Sequence, residues 1–194
     1  MNGGGHDLAY AHFRGIQKSC KEKKIGIINF DAHFDLRELT DTANSGTPFY
    51  QIAKETDDLK YLCLGIQKES NNQELYTTAH QLGVTYLENT NFNISNKKKV
   101  IAIVESFMAT VDGIYLTIDL DGFASHFAPG VSAPSPFGFS IDIALEVIRF
   151  ICLSNKLISV DVVELNPKYD IDHRTARLAA RMIYNIIDWK LNAS

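Results

Sequence analysis

Long apolar runs, paired cysteines and an excess of basic charge are all missing from this sequence, and each absence removes a class of explanation. No stretch approaches the roughly 20 apolar residues of a membrane-spanning helix, and no signal peptide precedes the first polar residues, so the expected compartment is the cytoplasm. Cys20, Cys63 and Cys152 are odd in number and widely spaced, with no CxxC or CxxH pairing, which leaves no support for a zinc knuckle or a disulfide framework. Cys63 and Cys152 lie inside apolar runs and are expected to be buried small hydrophobes. Lysine and arginine number 19 against 23 acidic residues, so the net charge of −4 gives no reason to expect nucleic acid or an anionic membrane surface as a partner. The run Lys97-Lys98-Lys99 does not change that balance and reads as a solvated helix start.

What is there suits one folded domain over residues 1–194, since the chain is too short for two ordinary ones. Five short runs read as parallel strands: Ile25 to Phe30, Tyr61 to Ile66, Val84 to Leu87, Gly113 to Asp119 and Leu157 to Val163. Most are continuously apolar, as strands covered on both faces should be. Amphipathic segments of helical length lie between them. Lys98 to Val111 carries Ile101, Val104, Met108 and Val111 at helical spacing, Ile141 to Leu153 follows Ser140 as an N-cap, and Arg174 to Trp189 forms a last long helix. The alternation implies an α/β fold, a parallel sheet with right-handed crossovers and helices on both faces.

The chain opens on the glycine-rich Gly3-Gly4-Gly5-His6, leading into a helix from Leu8 to Lys21 with no strand before it. Such loops normally follow a strand in α/β folds. Two readings stay open: a flexible tail, or a chain that starts in the middle of a larger domain.

Chemistry concentrates where strands end. In Asn29-Phe30-Asp31-Ala32-His33-Phe34-Asp35, an extended continuation of the first strand would put Asp31, His33 and Asp35 on one side. Two carboxylates and an imidazole on one face suit a hard-to-borderline divalent cation. Asp119 and Asp121 close the fourth strand on a shared face, and four carboxylates balance two divalent ions. Glu164 ends the fifth strand, either as a surface carboxylate or as a partner for a cationic substrate. His6, beside a glycine-rich turn, could reach the same site.

With these residues in view the chain resembles the arginase and agmatinase group, the ureohydrolases, and within it the formimidoylglutamase branch. The resemblance rests on Gly3-Gly4-Gly5-His6, on Asp31-Ala32-His33-Phe34-Asp35 with Leu36-Arg37, on Asn44-Ser45-Gly46-Thr47-Pro48-Phe49, on Asp119-Leu120-Asp121 and on Val163-Glu164-Leu165-Asn166-Pro167. It implies a three-layer arginase-like fold and two Mn2+ ions per chain. One ion would take His6, Asp31, Asp35 and Asp119, the other Asp31, His33, Asp119 and Asp121, with a hydroxide bridging the pair. It further implies that Asp35 and Glu164 are catalytic and that Arg37, Ser45 and Glu164 bind a small amidine. The activity implied is hydrolysis of N-formimidoyl-L-glutamate to L-glutamate and formamide, as in histidine degradation. An agmatinase or a non-catalytic metal-binding fragment are the rival readings.

Two departures qualify this. Phe49 stands at about the position where arginases carry a proton-shuttling histidine, and His12, His126 and His173 read as structural or solvated rather than as replacements. Arg37 stands where arginases have a smaller polar residue, and it is either an ordinary surface arginine or a guanidinium suited to a substrate with carboxylates. The resemblance also implies further strands ahead of the glycine-rich loop, so the expectation is an arginase-like domain without its N-terminal third. The strand at Leu157 to Val163 should then lie beside Gly113 to Asp119 with its other edge open along Leu157, Ile158, Val160, Val162 and Val163, favouring homo-oligomerisation.

Overall fold

The run Ile25–Phe30 (β1) is buried at every residue, and so is Gly113–Asp119 (β4). Strands with no polar side need neighbours on both edges and cover on both faces. The computed structural model, which describes residues 4–40 and 42–192, supplies both. β1 pairs in parallel with β4 on one side and with Lys60–Ile66 (β2) on the other. Thr85–Glu88 (β3) extends the sheet beyond β2 and Leu157–Val163 (β5) ends it beyond β4, giving the order β3-β2-β1-β4-β5. Three of the five expected strands have the expected bounds. β2 starts one residue early, and β3 starts one residue late because the Val84 N–H is taken by the Ala79 carbonyl (2.9 Å) instead of the ladder.

Alternation along β1 divides the core into two layers. Ile27 faces a cluster built with Leu8–Ser19 (α1), Pro48–Lys54 (α2) and Gln73–Gln81 (α3), including Phe13, Ile52 and Ala79. Ile28 faces the opposite cluster, built with Lys97–Ala109 (α4), Ile141–Cys152 (α5) and Arg174–Leu191 (α6), including Val104, Val147 and Met182. The result is the expected three layers. Periodicity did not single out α2 or α3. One begins on Pro48, and the other is capped by Asn72, whose side chain accepts from the Leu75 N–H at 3.0 Å.

Local details differ from expectation. Ser140 does occupy the N-cap of α5 but makes no capping bond; its hydroxyl donates to Asp142, which itself accepts from the Ile143 N–H at 2.8 Å. α1 stops at Ser19 rather than Lys21. Lys97 is not merely solvated, since its ammonium lies 2.7 Å from Glu146 on α5. Cys63 and Cys152 are buried, as expected. Gly3, in the glycine-rich motif, lies outside the described residues.

β5 sits beside β4 at the end of the sheet, but its open stretch is shorter than the sequence suggests. Val162 and Val163 are buried, and among the five apolar positions only Ile158 is exposed. α6 covers Val162 within the second core cluster. The glycine-rich loop crosses the strand's far end, where the Glu164 N–H donates to the Gly4 carbonyl at 2.9 Å.

Gly65 connects this packing to the strand ends. It has φ +104°, and a Cβ there would stand 2.4 Å from the Phe139 ring and 3.2 Å from the Asp31 carbonyl. Gly65→Ala is therefore expected to destabilise the fold by about 1–3 kcal/mol or more, from the left-handed backbone alone and then from the clash. A urea titration followed by circular dichroism measures this, and an unchanged midpoint would contradict it.

Candidate functional site

The sheet order reverses at β1, with β2 on one side and β4 on the other, and open α/β sheets form their crevice at the C-terminal ends of such strands. The chain leaving β1 is pinned there by its own backbone and by a buried amide. Asp31 N–H donates to the Leu64 carbonyl at 3.0 Å; the Asn71 side chain donates to the Ala32 carbonyl at 2.9 Å and accepts from the Phe34 N–H at 3.0 Å. Asp31 accepts from the His33 N–H at 2.7 Å, and Asp119 accepts from the Asp121 N–H at 2.8 Å, so each acidic pair is braced by a local turn. Asp31, His33 and Asp35 do converge, but not as a continued strand. Asp35 turns into the left-handed region at φ +50°, which aims it back toward His6.

His6 is the centre of the cluster. Its Nδ1 lies 3.1 Å from Asp31, 2.9 Å from Asp35 and 3.0 Å from Asp119, all four residues being buried. One N–H could serve only one of these oxygens, and Nδ1 makes no directed hydrogen bond to any. Asp121 Oδ1 is likewise buried without a hydrogen-bond partner. A divalent cation satisfies all of these atoms together, so the residues fit a metal. The donors form two groups that share Asp31: His6, Asp31, Asp35 and Asp119, then Asp31, His33 and Asp121. The first is the set expected; in the second, Asp119 does not join.

The electrostatics show why these groups depend on one another. Burial raises the carboxyls of Asp119, Asp121 and Asp35, and neighbouring aspartates add to it, so that Asp35 reaches about 6. Asp31 goes the other way, held low against its burial by the His33 and His6 imidazoles beside it. Burial opposes a charge on His33, but Asp121 and Asp31 outweigh it and push the imidazole up to about 12. The same carboxylates raise His6 well above its usual value despite its burial.

Above the cluster lies a cleft of about 110 Å3 lined by His33, Asp35, Arg37, Ser45, Gly46, Asp119, Asp121, Ser132, Ala133 and Glu164. Every residue expected at the site therefore reaches it or, for His6 and Asp31, lies directly beneath. Arg37 is exposed at the rim, its backbone N–H bonded to the Gly46 carbonyl at 2.8 Å. Glu164 is half-buried with φ +67°, and its carboxylate accepts from the His6 N–H at 2.6 Å. Burial, then the nearby aspartates, push that carboxyl up. Phe49 is buried, edge-on to the His6 ring with centroids 5.2 Å apart, so an apolar wall stands there. His12 is engaged with Asp161 and Ser159, His126 lies against Phe127, and neither lines the cleft. His173 precedes α6 at φ +56°. Two polar residues that motif reading passed over are Asn29, which donates to Asp31 at 2.9 Å, and Thr117, 3.0 Å from the second nitrogen of His6. Both are polar side chains inside apolar strands, a signal that was available.

The sequence model of the arginase family matches residues 1–188. The chain belongs to the arginase family. Within the family it is similar to formimidoylglutamase from Ralstonia nicotianae, 43% identical over 96% of this chain and 60% of the relative, and to that from Clostridium tetani, 42% identical over 96% and 58%. Its fold matches the crystal structure of formimidoylglutamase from Bacillus subtilis with a TM-score of 0.90, at 25% identity, over 97% of this chain and 59% of that one. The chain thus spans about three fifths of the length of these arginase-family relatives.

Because a proton and a cation compete for the same oxygens, binding should follow the carboxyl raised to about 6. Mn2+ affinity is expected to rise with pH through that value and, because the raised His6 and His33 must also give up protons, to keep rising above it. Calorimetric titrations between pH 5 and 8 test this; a pH-independent affinity would count against Asp35 as a ligand.

Proposed function

We propose that the protein to which this chain belongs hydrolyses N-formimidoyl-L-glutamate to L-glutamate and formamide at a two-manganese centre. The observation that carries this reading is the six-residue cluster in which three buried carboxylates face one imidazole nitrogen. Its oxygen-rich donor set suits manganese. His6, Asp31, Asp35 and Asp119 would hold one ion and Asp31, His33 and Asp121 the other. When bound, the ions would supply water made acidic enough to attack near neutral pH and would offset the negative charge that develops on the attacked centre.

The remaining work falls to the chain. Water adds to the amidine carbon of R–NH–CH=NH, the bond from that carbon to the substituted nitrogen breaks, and the products are R–NH2 and formamide. Asp35 takes the water proton at a carboxylate oxygen and returns it to the departing nitrogen. Glu164 faces the same cleft and accepts from the amidine N–H groups. Arg37 and Ser45 at the rim take the carboxylates of a glutamate-derived substrate. Phe49 keeps solvent off one side of His6.

Turnover assays on the Mn2+-loaded chain test the reading. Formamide release from formimidoylglutamate should exceed urea release from agmatine or arginine; the reverse order would favour an agmatinase-like site, although agmatine offers Arg37 no carboxylate. Asp35→Asn is expected to lower kcat by about 100-fold or more. Arg37→Ala should raise KM more than it lowers kcat if the rim contact holds ground and transition states equally. Two bound ions without turnover would support the fragment reading. The exposed Ile158, beside Ile187 and Leu191 on α6, supports self-association of this chain, to be read as concentration-dependent light scattering. A monomer at high concentration would remove that part of the proposal.

A further inference from the structure

One wall of the cleft is carried by a span of chain that is hydrogen-bonded only at its two ends. Ser132 and Ala133 line the cleft and are exposed, and the stretch from Val131 to Pro134 that contains them makes no hydrogen bond among the described residues. At the near end, the Gly130 N–H donates to the buried Thr175 hydroxyl at 2.7 Å, and the Gly130 carbonyl accepts from the Asn166 N–H at 2.8 Å. At the far end stands Ser135, which is buried and whose carbonyl accepts from the Ser125 N–H at 2.7 Å.

The Ser135 side chain is spent on one partner, Gln67, the residue that follows β2. The Gln67 amide donates to the Ser135 hydroxyl at 2.6 Å, and that hydroxyl donates to Gln67 Oε1 at 2.8 Å. Gln67 is buried as well, and its backbone is bonded to the segment that carries the carboxylates. Its N–H donates to the Ala32 carbonyl at 2.9 Å, and its carbonyl accepts from the Asn71 amide at 2.7 Å, the same amide that holds Ala32. Ala32 stands between Asp31 and His33. A reciprocal pair 68 positions apart in sequence thus ties the Asp31–His33 turn to the anchor of the Ser132–Ala133 wall. Such a buried polar pair adds little stability over two apolar side chains of the same shape, so placement is what it supplies. The cleft is only about 110 Å3, and a small shift of this wall changes much of the space left for a substrate. Resting on the reading of this cleft as the substrate site, we propose that Gln67 and Ser135 are positioning residues: their side-chain pair holds the Ser132–Ala133 wall at a fixed distance from the carboxylate-bearing turn and so sets the fit of the substrate.

Gln67→Met and Ser135→Ala each cut the link and leave one buried polar partner unpaired, so both should lower Tm. The double variant removes both partners and is expected to recover most of the lost Tm without recovering the link. Calorimetry on the Mn2+-loaded full chain gives the dissociation constant of L-glutamate, and turnover gives KM for formimidoylglutamate. Both should rise by about tenfold in each single variant and stay about tenfold raised in the double, since the two residues act through one link. The kcat and the Mn2+ dissociation constants should stay within about threefold of the parent, as expected when only substrate fit is lost. A double variant that regains glutamate affinity together with its Tm would reduce the pair to packing and overturn the proposal. Mn2+ affinity falling in step with glutamate affinity would overturn it too. Amide hydrogen exchange gives a readout that needs no ligand. The Ser125 N–H, bonded to the Ser135 carbonyl, should exchange about tenfold faster in the double variant while the Gln67 N–H, bonded to Ala32, keeps its rate. Unchanged exchange at Ser125 would count equally against the pair. A parent chain that binds Mn2+ but neither L-glutamate nor formimidoylglutamate would instead sink the choice of substrate, with exchange at Ser125 still deciding whether the pair anchors the wall.

Discussion

Four aspartates, Asp31, Asp35, Asp119 and Asp121, are buried beside two histidines at one end of the sheet. Two like charges about 4 Å apart repel by on the order of 4 kcal/mol in surroundings of intermediate polarity, and several such pairs are present here. That repulsion is the constraint around which the upper end of the molecule is organised. Hydrogen bonds from the His33 and Asp121 backbones and the Asn29 amide, and the close approach of the His6 ring, each take up part of it. Removing any one leaves a buried charge without compensation, which costs more than the contact itself contributes. A divalent cation removes the repulsion at its source, and the strand ends hold the carboxylates where such an ion would sit.

The same concentration of charge explains what could be read from the sequence. Asp31, His33, Asp35, Asp119 and Asp121 stand out because acidic residues immediately follow apolar runs that the fold must bury, and a strand end gives them only one place to go. The strands themselves were legible for the same reason. The extended path assigned to Asp35 was not, since its left-handed turn depends on contacts with His6, far away in the chain. α2 and α3 escaped notice because each is short and buries few residues. Thr117 was visible as a polar letter in an apolar strand, but its contact with His6 joins residues 111 positions apart, out of reach of any local pattern. The covered end of β5 likewise follows from a loop contact between Gly4 and Glu164 that no local pattern announces.

The cleft has two chemically distinct halves. Its floor is carboxylate and imidazole, suited to cations and to the polar head of an amidine, while its rim carries the Arg37 guanidinium and the Ser45 hydroxyl. A substrate that satisfies both needs a basic nitrogen end and an acidic end, and agmatine has only the first. Phe49, buried edge-on against His6, carries no group that could take up a proton there.

The sheet order has a consequence for the timing of folding. β1 meets its near neighbour β2 on one side, but its other edge waits for β4, which follows β2, α3, β3 and α4 in the chain, and Glu164 follows β5, later still. Contacts between such distant segments form slowly, because the intervening chain must be ordered first. His6 precedes all five strands yet meets Asp119 at the end of the fourth. A cation that needs both residues finds its full shell only after most of the sheet is in place. It would therefore do little to start folding and much to slow unfolding, acting on the barrier out of the native state rather than the barrier into it.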